Sequence, residues 1–336
     1  MKKIRFALVG AGGIAASYAQ VLADHADAEL VAVVDVRPEA AQKIAGQVPA
    51  AVAYTSIDTA RAMTDFDATI VATPPVTHEK LVLKLLAMGQ NVLCEKPFTV
   101  GADSARRMAA AARDHGRVLT MASKFRYVAD VNKARDFIDE GLIGEVVLFE
   151  NAFTSRVDMT NRWNGDPAIS GGGVLIDNGA HSLDLTRFFL GTLAELHAVE
   201  GRRFQPLPVE DTAQVTVRSA AGVMGTIDLS WSINKERESY IEVHGLLGTI
   251  RIGWKESKYK LHRSPDWVVF GHGYNKAQAF RDNVGNFARH LRDGEPLVIS
   301  LDDAVANVAA IDAAYRSLNR ADWTRVPVEQ PEAILA

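Results

Sequence analysis

The run Ile4-Arg5-Phe6-Ala7-Leu8-Val9, followed at once by Gly10-Ala11-Gly12-Gly13-Ile14-Ala15, constrains the fold more than any other stretch. The apolar residues read as a buried strand, the glycines as a turn, and Tyr18, Val21 and Leu22 as the inner face of a helix. Strand, turn and helix in the spacing G-x-G-x-x-A form a unit that can cradle a dinucleotide. Gly10 permits the tight turn, Gly12 lets the backbone approach a pyrophosphate, and Ala15 keeps the helix close to the strand. Gly13 and Ile14 complete the cradle, where free N–H groups at the helix start face the phosphates.

A second apolar strand, residues 29–34, ends in Asp35, where an acid accepts the ribose hydroxyls and repels a 2'-phosphate. NAD is therefore expected over NADP. Arg37 keeps NADP open, because a guanidinium pairs with that phosphate as readily as it lies over the adenine. Asp35 also suits a helix N-cap ahead of Pro38.

The alternation continues with apolar runs at 51–54, 68–72, 91–94 and 117–122, separated by helical patterns at 56–63, 76–88 and 101–115. Nearly continuous apolar strands alternating with helices indicate a parallel sheet covered on both faces. Residues 1–122 thus read as a doubly wound Rossmann domain of the α/β class. Thr73, Pro74 and Pro75 make a rigid loop at the ligand edge, with His78 at the start of the next helix.

The strand at 91–94 runs into Cys94-Glu95-Lys96-Pro97. A lysine at the carboxyl end of an inner strand needs an anion, a ligand or a carboxylate beside it, and Pro97 holds it extended. The plainer alternative is a solvated loop lysine.

Beyond residue 122 the rhythm changes. Runs at 144–153, 193–203, 211–219, 223–233, 240–244, 249–252 and 259–262 alternate in polarity without intervening helices. They predict a large open, mainly antiparallel sheet in an α+β domain spanning 123–336, with closing helices at 274–292 and 301–320. The last of these is free to pack back on the first domain.

Between the first two runs lies Ser170-Gly171-Gly172-Gly173, which opens a helical pattern containing Asp177 and His181. Four residues apart, a carboxylate and an imidazole share one helical face. Gly173 and Gly179 cost that helix about 1 kcal/mol each and signal the close approach of another backbone or a ligand. Asp177 could equally do no more than orient His181 in a polar packing network.

Bulk properties exclude several classes. A net charge of −4 leaves no basic footprint for nucleic acid. No run of 18 apolar residues suggests a membrane span, and the glycines after Val9 interrupt what would otherwise imitate a secretory signal. One cysteine in 336 residues fits a reducing, cytoplasmic setting. The nine histidines show no H-x-x-x-H or H-x-H pairing, so no metal site is expected.

The combination Gly10-x-Gly12-x-x-Ala15, Glu95-Lys96-Pro97 and Gly171-Gly172-x-x-x-x-Asp177-x-x-x-His181 resembles the glucose-fructose oxidoreductase, inositol dehydrogenase and rhizopine catabolism family (Gfo/Idh/MocA) over almost the whole chain. The resemblance implies that Lys96, Asp177 and His181 surround a reacting carbinol beside the nicotinamide of NAD. Glu95 and Lys96 would lie on the cofactor side. The segment Lys124-Phe125-Arg126-Tyr127 matches the family's x-R-R-F/Y at Arg126 and Tyr127 and departs from it at Lys124 and Phe125.

With these roles, His181 is the base for the hydroxyl proton and Lys96 donates a hydrogen bond to the same oxygen. The loop 154–169, with Arg156, Arg162, Trp163 and Asn164, combines an aromatic ring with hydrogen-bonding groups, as a sugar ring requires; Trp163 equally suits packing the loop down. Trp231, Lys235 and Arg237 are placed to reach the pocket or a subunit interface.

The expected activity is an NAD(P)-dependent sugar, cyclitol or sugar-derivative oxidoreductase, working as a homo-oligomeric dimer or tetramer. The alternatives are a nucleotide-sugar dehydrogenase or ketoreductase, a redox glycosidase that recycles NAD, and a non-catalytic NAD-sensing regulator.

Overall fold

A computed structural model describes residues 2–328, which form two compact units. The first takes the chain up to Thr99, then Asp103–Tyr127 and Lys276–Ala304. Its six strands are β1 (Ile4–Val9), β2 (Ala28–Val34), β3 (Val52–Tyr54), β4 (Ala68–Val71), β5 (Asn91–Glu95) and β6 (Leu119–Ala122). They lie in the order β3-β2-β1-β4-β5-β6, all parallel. β4 and β6 are buried at every residue, as expected where helices cover both faces. The strand order reverses between β1 and β4, the point at which such sheets open a crevice for ligands at their carboxyl ends.

The helix Lys276–Asp293 belongs to this unit although it follows the other by sequence. Its Phe280 meets Tyr18 edge-on at 5.0 Å, and its Phe287 lies 6.2 Å from Phe6 of β1. Asp27 adds polar ties by accepting from Arg292 at 2.8 Å and Arg289 at 3.3 Å. The helix Leu301–Arg320 opens with a reciprocal cap, Asp303 N to Ser300 Oγ and Ser300 N to an Asp303 carboxylate oxygen.

The second unit comprises Val100–Ala102, Val128–Asn275 and the chain from Val305 onward. Its strands are β7 (Val146–Thr154), β8 (Leu193–Glu200), β9 (Thr212–Ser219), β10 (Met224–Ser230), β11 (Ser239–Gly245), β12 (Gly248–Gly253), β13 (Ser257–Leu261), β14 (Val268–Gly271) and β15 (Thr324–Arg325). They form one sheet in the order β14-β13-β12-β11-β7-β10-β9-β8-β15. Every pairing is antiparallel except β7 with β10.

Burial alternates along β9 and β12, because one face packs on helices and the other does not. The covering helices are Val174–Leu190 over β7, β9 and β10, and Ala129–Asp139 over β12 and β14. Among the described residues no helix is long and apolar enough to cross a membrane.

Candidate functional site

In the first unit the glycine turn is built as the spacing implies. Gly10 has φ +99°, and a Cβ there would lie 2.6 Å from the Ala72 carbonyl oxygen, so only glycine lets the turn pass the end of β4. Gly12 and Gly13 differ: a Cβ on either meets no protein atom within 4 Å. The helix Ala15–Leu22 starts without a side-chain cap at Ile14, as a phosphate-binding helix start should. Open space over Gly12 and Gly13 fits a dinucleotide pyrophosphate.

Asp35 turns back onto this loop. Its Oδ2 accepts from the Ala11 amide at 2.8 Å, and its Oδ1 accepts from the Arg37 amide at 2.9 Å and the Arg37 Nε at 3.3 Å. Burial alone would raise the Asp35 carboxyl, but the two amides and the guanidinium outweigh it and hold the group below its usual range. An ionised carboxylate therefore stands beside the glycine turn, with Arg37 more than half exposed next to it.

At the neighbouring strand ends, Thr73 Oγ1 and Thr77 Oγ1 share a 2.7 Å hydrogen bond, and Thr77 Oγ1 donates to the Pro74 carbonyl. Thr73 and Pro74 are half-buried and Pro75 is buried. His78 is fully enclosed, with Nε2 2.8 Å from the Thr73 carbonyl and Nδ1 3.0 Å from that of Pro97 and 3.3 Å from that of Phe98. It ties the loop after β4 to the loop after β5. Burial pushes its pKa down, opposed by the carbonyls.

Glu95, at the end of β5, is buried and accepts twice, from Tyr18 Oη at 2.7 Å and from the Lys96 amide at 3.0 Å. Burial raises its carboxyl, opposed by Tyr18 and by the Lys96 and Lys124 ammonium groups. Lys96 is half-buried at the loop. Lys124 Nζ lies 5.4 Å from the Phe125 ring and 5.7 Å from that of Phe280. Arg126 is buried and lies 3.5 Å from Asp303, and buried Tyr127 donates to Asn286 at 3.1 Å. These contacts anchor the turn that carries Lys124.

In the second unit, Asp177 is half-buried in the first turn of Val174–Leu190 and His181 is 6% exposed one turn later. The His181 ring stands edge-on to Phe153 at 6.4 Å, and Phe153 stacks on Tyr240 at 5.6 Å. Gly173 admits another backbone, as expected, whereas the nearest neighbours of Gly179 are side chains. A Cβ on Gly173 would sit 2.1 Å from the Glu210 carbonyl oxygen, and one on Gly179 would sit 3.2 Å from Leu229. The neighbours are protein in both cases.

Arg156, Arg162 and Trp163 are exposed and Asn164 is half-buried, on a loop that Gln205 pins by accepting from Met159 N and donating to the Val157 carbonyl. Trp231 is a core residue, 1% exposed. Lys235 and Arg237 line a pocket of about 740 Å³ together with Thr154, Arg251, Trp254 and Lys258. Three of its cations are answered by acids: Lys235 by Asp228, Arg251 by Glu242 and Lys258 by Glu238.

Glu150, Glu242 and His244 bring ligand-type atoms within 4.8 Å of one another, a grouping made by strand pairing rather than by sequence spacing. Sequence reasoning placed Tyr18 only on a buried helix face and missed Glu210; both bond to partners distant in the chain.

Two family models match the chain. The oxidoreductase family with an NAD-binding Rossmann fold covers residues 4–123, and the GFO/IDH/MocA C-terminal domain covers 131–251. Inositol 2-dehydrogenase of Rhizobium meliloti (strain 1021) is 29% identical, over 94% of this chain and 97% of that protein. D-glucoside 3-dehydrogenase of Escherichia coli (strain K12) is 28% identical, over 93% and 92%.

Among solved structures, GenD2 from gentamicin A biosynthesis, crystallised in complex with NAD, is 28% identical with a TM-score of 0.86, covering 98% of this chain and 97% of that one. Levoglucosan dehydrogenase in complex with NADH shares the fold at a TM-score of 0.87 and 20% identity, covering 98% of this chain and 100% of that one. A dinucleotide cradle of the right chemistry, an Asp-x-x-x-His helix and two matching domain models together place this chain in the Gfo/Idh/MocA family of NAD-binding oxidoreductases.

Proposed function

We propose that this enzyme removes hydride from a secondary hydroxyl of a sugar, cyclitol or sugar derivative, using NAD in preference to NADP, and runs the same step in reverse as a ketone reductase. The observation that carries the reading is the near full-length likeness to a cyclitol dehydrogenase and a glucoside dehydrogenase, with the Lys96 loop and the Asp177/His181 helix both intact.

Gly10, Gly12, Gly13 and Ile14 would hold the pyrophosphate, Asp35 the ribose, and Thr73, Pro74, Pro75 and Lys96 the nicotinamide end, with Arg37 beside the ribose. The bound nicotinamide supplies a hydride acceptor. The protein must then manage the proton and the charge. His181 accepts the hydroxyl proton, a role for which a neutral imidazole nitrogen is suited. Lys96 donates to the same oxygen and stabilises its developing negative charge. Asp177 positions the substrate hydroxyls or pairs with Lys96. Glu95 keeps the Lys96 backbone in place, and His78 ties the loops on either side.

Lys124, Arg126, Tyr127, Arg156, Trp163 and Asn164 supply the substrate contacts in this reading. The open face of the second sheet, with Val199 and Met224 about half exposed, suits a homo-oligomer. The test is NADH formation against a panel of sugars and inositols, with NADP as the control cofactor. Turnover of at least one polyol with NAD is expected. No turnover across the panel, or better turnover with NADP, overturns the reading.

A further inference from the structure

The helix that carries Asp177 and His181 begins at Gly173, which has no side chain to cap the first amides. Their acceptor comes from 37 residues further along the chain. Oε1 of Glu210 accepts from the Gly173 amide at 3.0 Å, the Leu175 amide at 3.1 Å and the Tyr315 hydroxyl at 2.8 Å. The Val174 amide between them donates to the Glu210 carbonyl at 2.9 Å. One residue thus satisfies three successive donors that a helix start leaves open.

Glycine at 172 and 173 is what permits this. A Cβ on Gly172 would lie 2.0 Å from the Tyr315 hydroxyl, and one on Gly173 would lie 2.1 Å from the Glu210 carbonyl oxygen. Glu210 is buried, 5% exposed.

A cap on the N-terminal residue itself fixes where a helix starts. A buried oxygen gripped by amides two residues apart also fixes how the helix is turned about its axis, since rotation or sliding breaks one bond or the other. Asp177 and His181 follow Gly173 by about one and two turns, so any rotation at the start is carried straight to them.

We propose that Glu210, locked by Tyr315, is a positioning residue for the hydroxyl-proton chemistry, setting the rotation of the helix so that Asp177 and His181 meet the substrate in one orientation. The proposal rests on the roles given to those two residues above. It adds that their geometry is determined outside their own helix.

The test compares full-length Glu210→Ala, Glu210→Gln and Tyr315→Phe with wild type and with His181→Ala, measuring kcat and KM on a polyol from the panel and NADH affinity by fluorescence. In Glu210→Ala, kcat falls about tenfold or more while NADH affinity stays within about twofold, the signature of a misplaced reacting group rather than a lost binding site. Glu210→Gln, whose amide oxygen still accepts from the three donors, recovers most of the wild-type kcat.

A Glu210→Ala enzyme with lowered melting temperature and undiminished kcat overturns the proposal, and so do equal kcat losses in the alanine and glutamine variants. Should Glu210→Ala not fold, Tyr315→Phe decides: a reduced kcat at unchanged NADH affinity supports positioning, and an unchanged kcat overturns it. A fully active His181→Ala removes the site reading and the positioning role together. An inactive His181→Ala beside a fully active Glu210→Ala removes positioning alone.

Discussion

Tyr18 Oη donates a 2.7 Å hydrogen bond to Oε1 of Glu95, joining the helix that follows the glycine turn to the acid that precedes Lys96, 77 residues away. Both side chains are buried, and the carboxylate's other oxygen accepts the Lys96 amide. Tyr18→Phe leaves that carboxylate short of a donor in a place water does not reach, which costs about 1–3 kcal/mol. Calorimetric unfolding of the variant checks this. A melting temperature equal to wild type at pH 8 would show that the bond contributes nothing.

The same pair has a pH signature. Burial lifts the Glu95 carboxyl above its ordinary 4.5, so the folded protein holds this proton more tightly than the unfolded chain. Its contribution to stability is then most favourable at low pH and declines as pH rises from 4.5 through the raised folded value. Tyr18 limits the decline by stabilising the charged form. The deficit of Tyr18→Phe is accordingly small near pH 4.5 and grows toward pH 8. Melting curves of both proteins across that range test the sign, and a deficit that shrinks with pH contradicts it.

Asp35 offers a test of cofactor choice. Its carboxylate is held ionised by the Arg37 and Ala11 amides, and a 2'-phosphate placed there would face a negative charge with Arg37 unable to serve both. Asp35→Ser removes the repulsion and frees the guanidinium. The ratio of kcat/KM for NAD to that for NADP should fall about a hundredfold, equivalent to about 2.7 kcal/mol. An unchanged ratio would mean that discrimination lies elsewhere.

The proton and charge roles separate by variant. If Lys96 has the proposed role, Lys96→Met lowers kcat about a hundredfold or more. His181→Ala should lower kcat by about 10²–10⁴ and abolish the limb of the pH–rate profile that reports the base. Lys96→Met with normal turnover, or His181→Ala with an unaltered profile, counts against the assignment concerned.

What could be read from the chain was whatever local spacing encodes. The turn at Gly10–Ala15 and the acid at Asp35 are short-range patterns, and the parallel sheet follows from continuous apolar runs between helices. The partners of Glu95, His78 and Glu210 are not encoded that way. Tyr18 lies 77 residues from Glu95, and Glu210 reaches Gly173 across 37, so no periodicity marks them.

In the second unit, alternation along β7 and β10 predicts strands but not that those two run parallel, since pairing direction is set by the order of neighbours in the sheet. β14 and the two-residue β15 went unread because short edge strands carry too few alternating residues to register. Trp231, placed by sequence near a pocket or interface, is core: its amide continues the β9–β10 pairing by donating to the Asp211 carbonyl, and its side chain is buried.

The glycine turn itself allows fold and ligand binding to be separated. Gly10 and Gly12 stand two residues apart in one motif, yet the protein needs them for different reasons. At Gly10 an added Cβ strikes the Ala72 backbone at 2.6 Å and the φ of +99° is one that side chains resist. Gly10→Ala should therefore destabilise the fold by about 1–3 kcal/mol. At Gly12 the same atom meets no protein within 4 Å, so Gly12→Ala should leave the unfolding free energy within about 0.5 kcal/mol of wild type. If that open space is where the pyrophosphate lies, NADH affinity in Gly12→Ala falls about tenfold or more, because the backbone can no longer approach the phosphates. Thermal melts and NADH titration on the two variants read the contrast directly. A Gly12→Ala protein that binds NADH as tightly as wild type would place the phosphates somewhere other than over this turn.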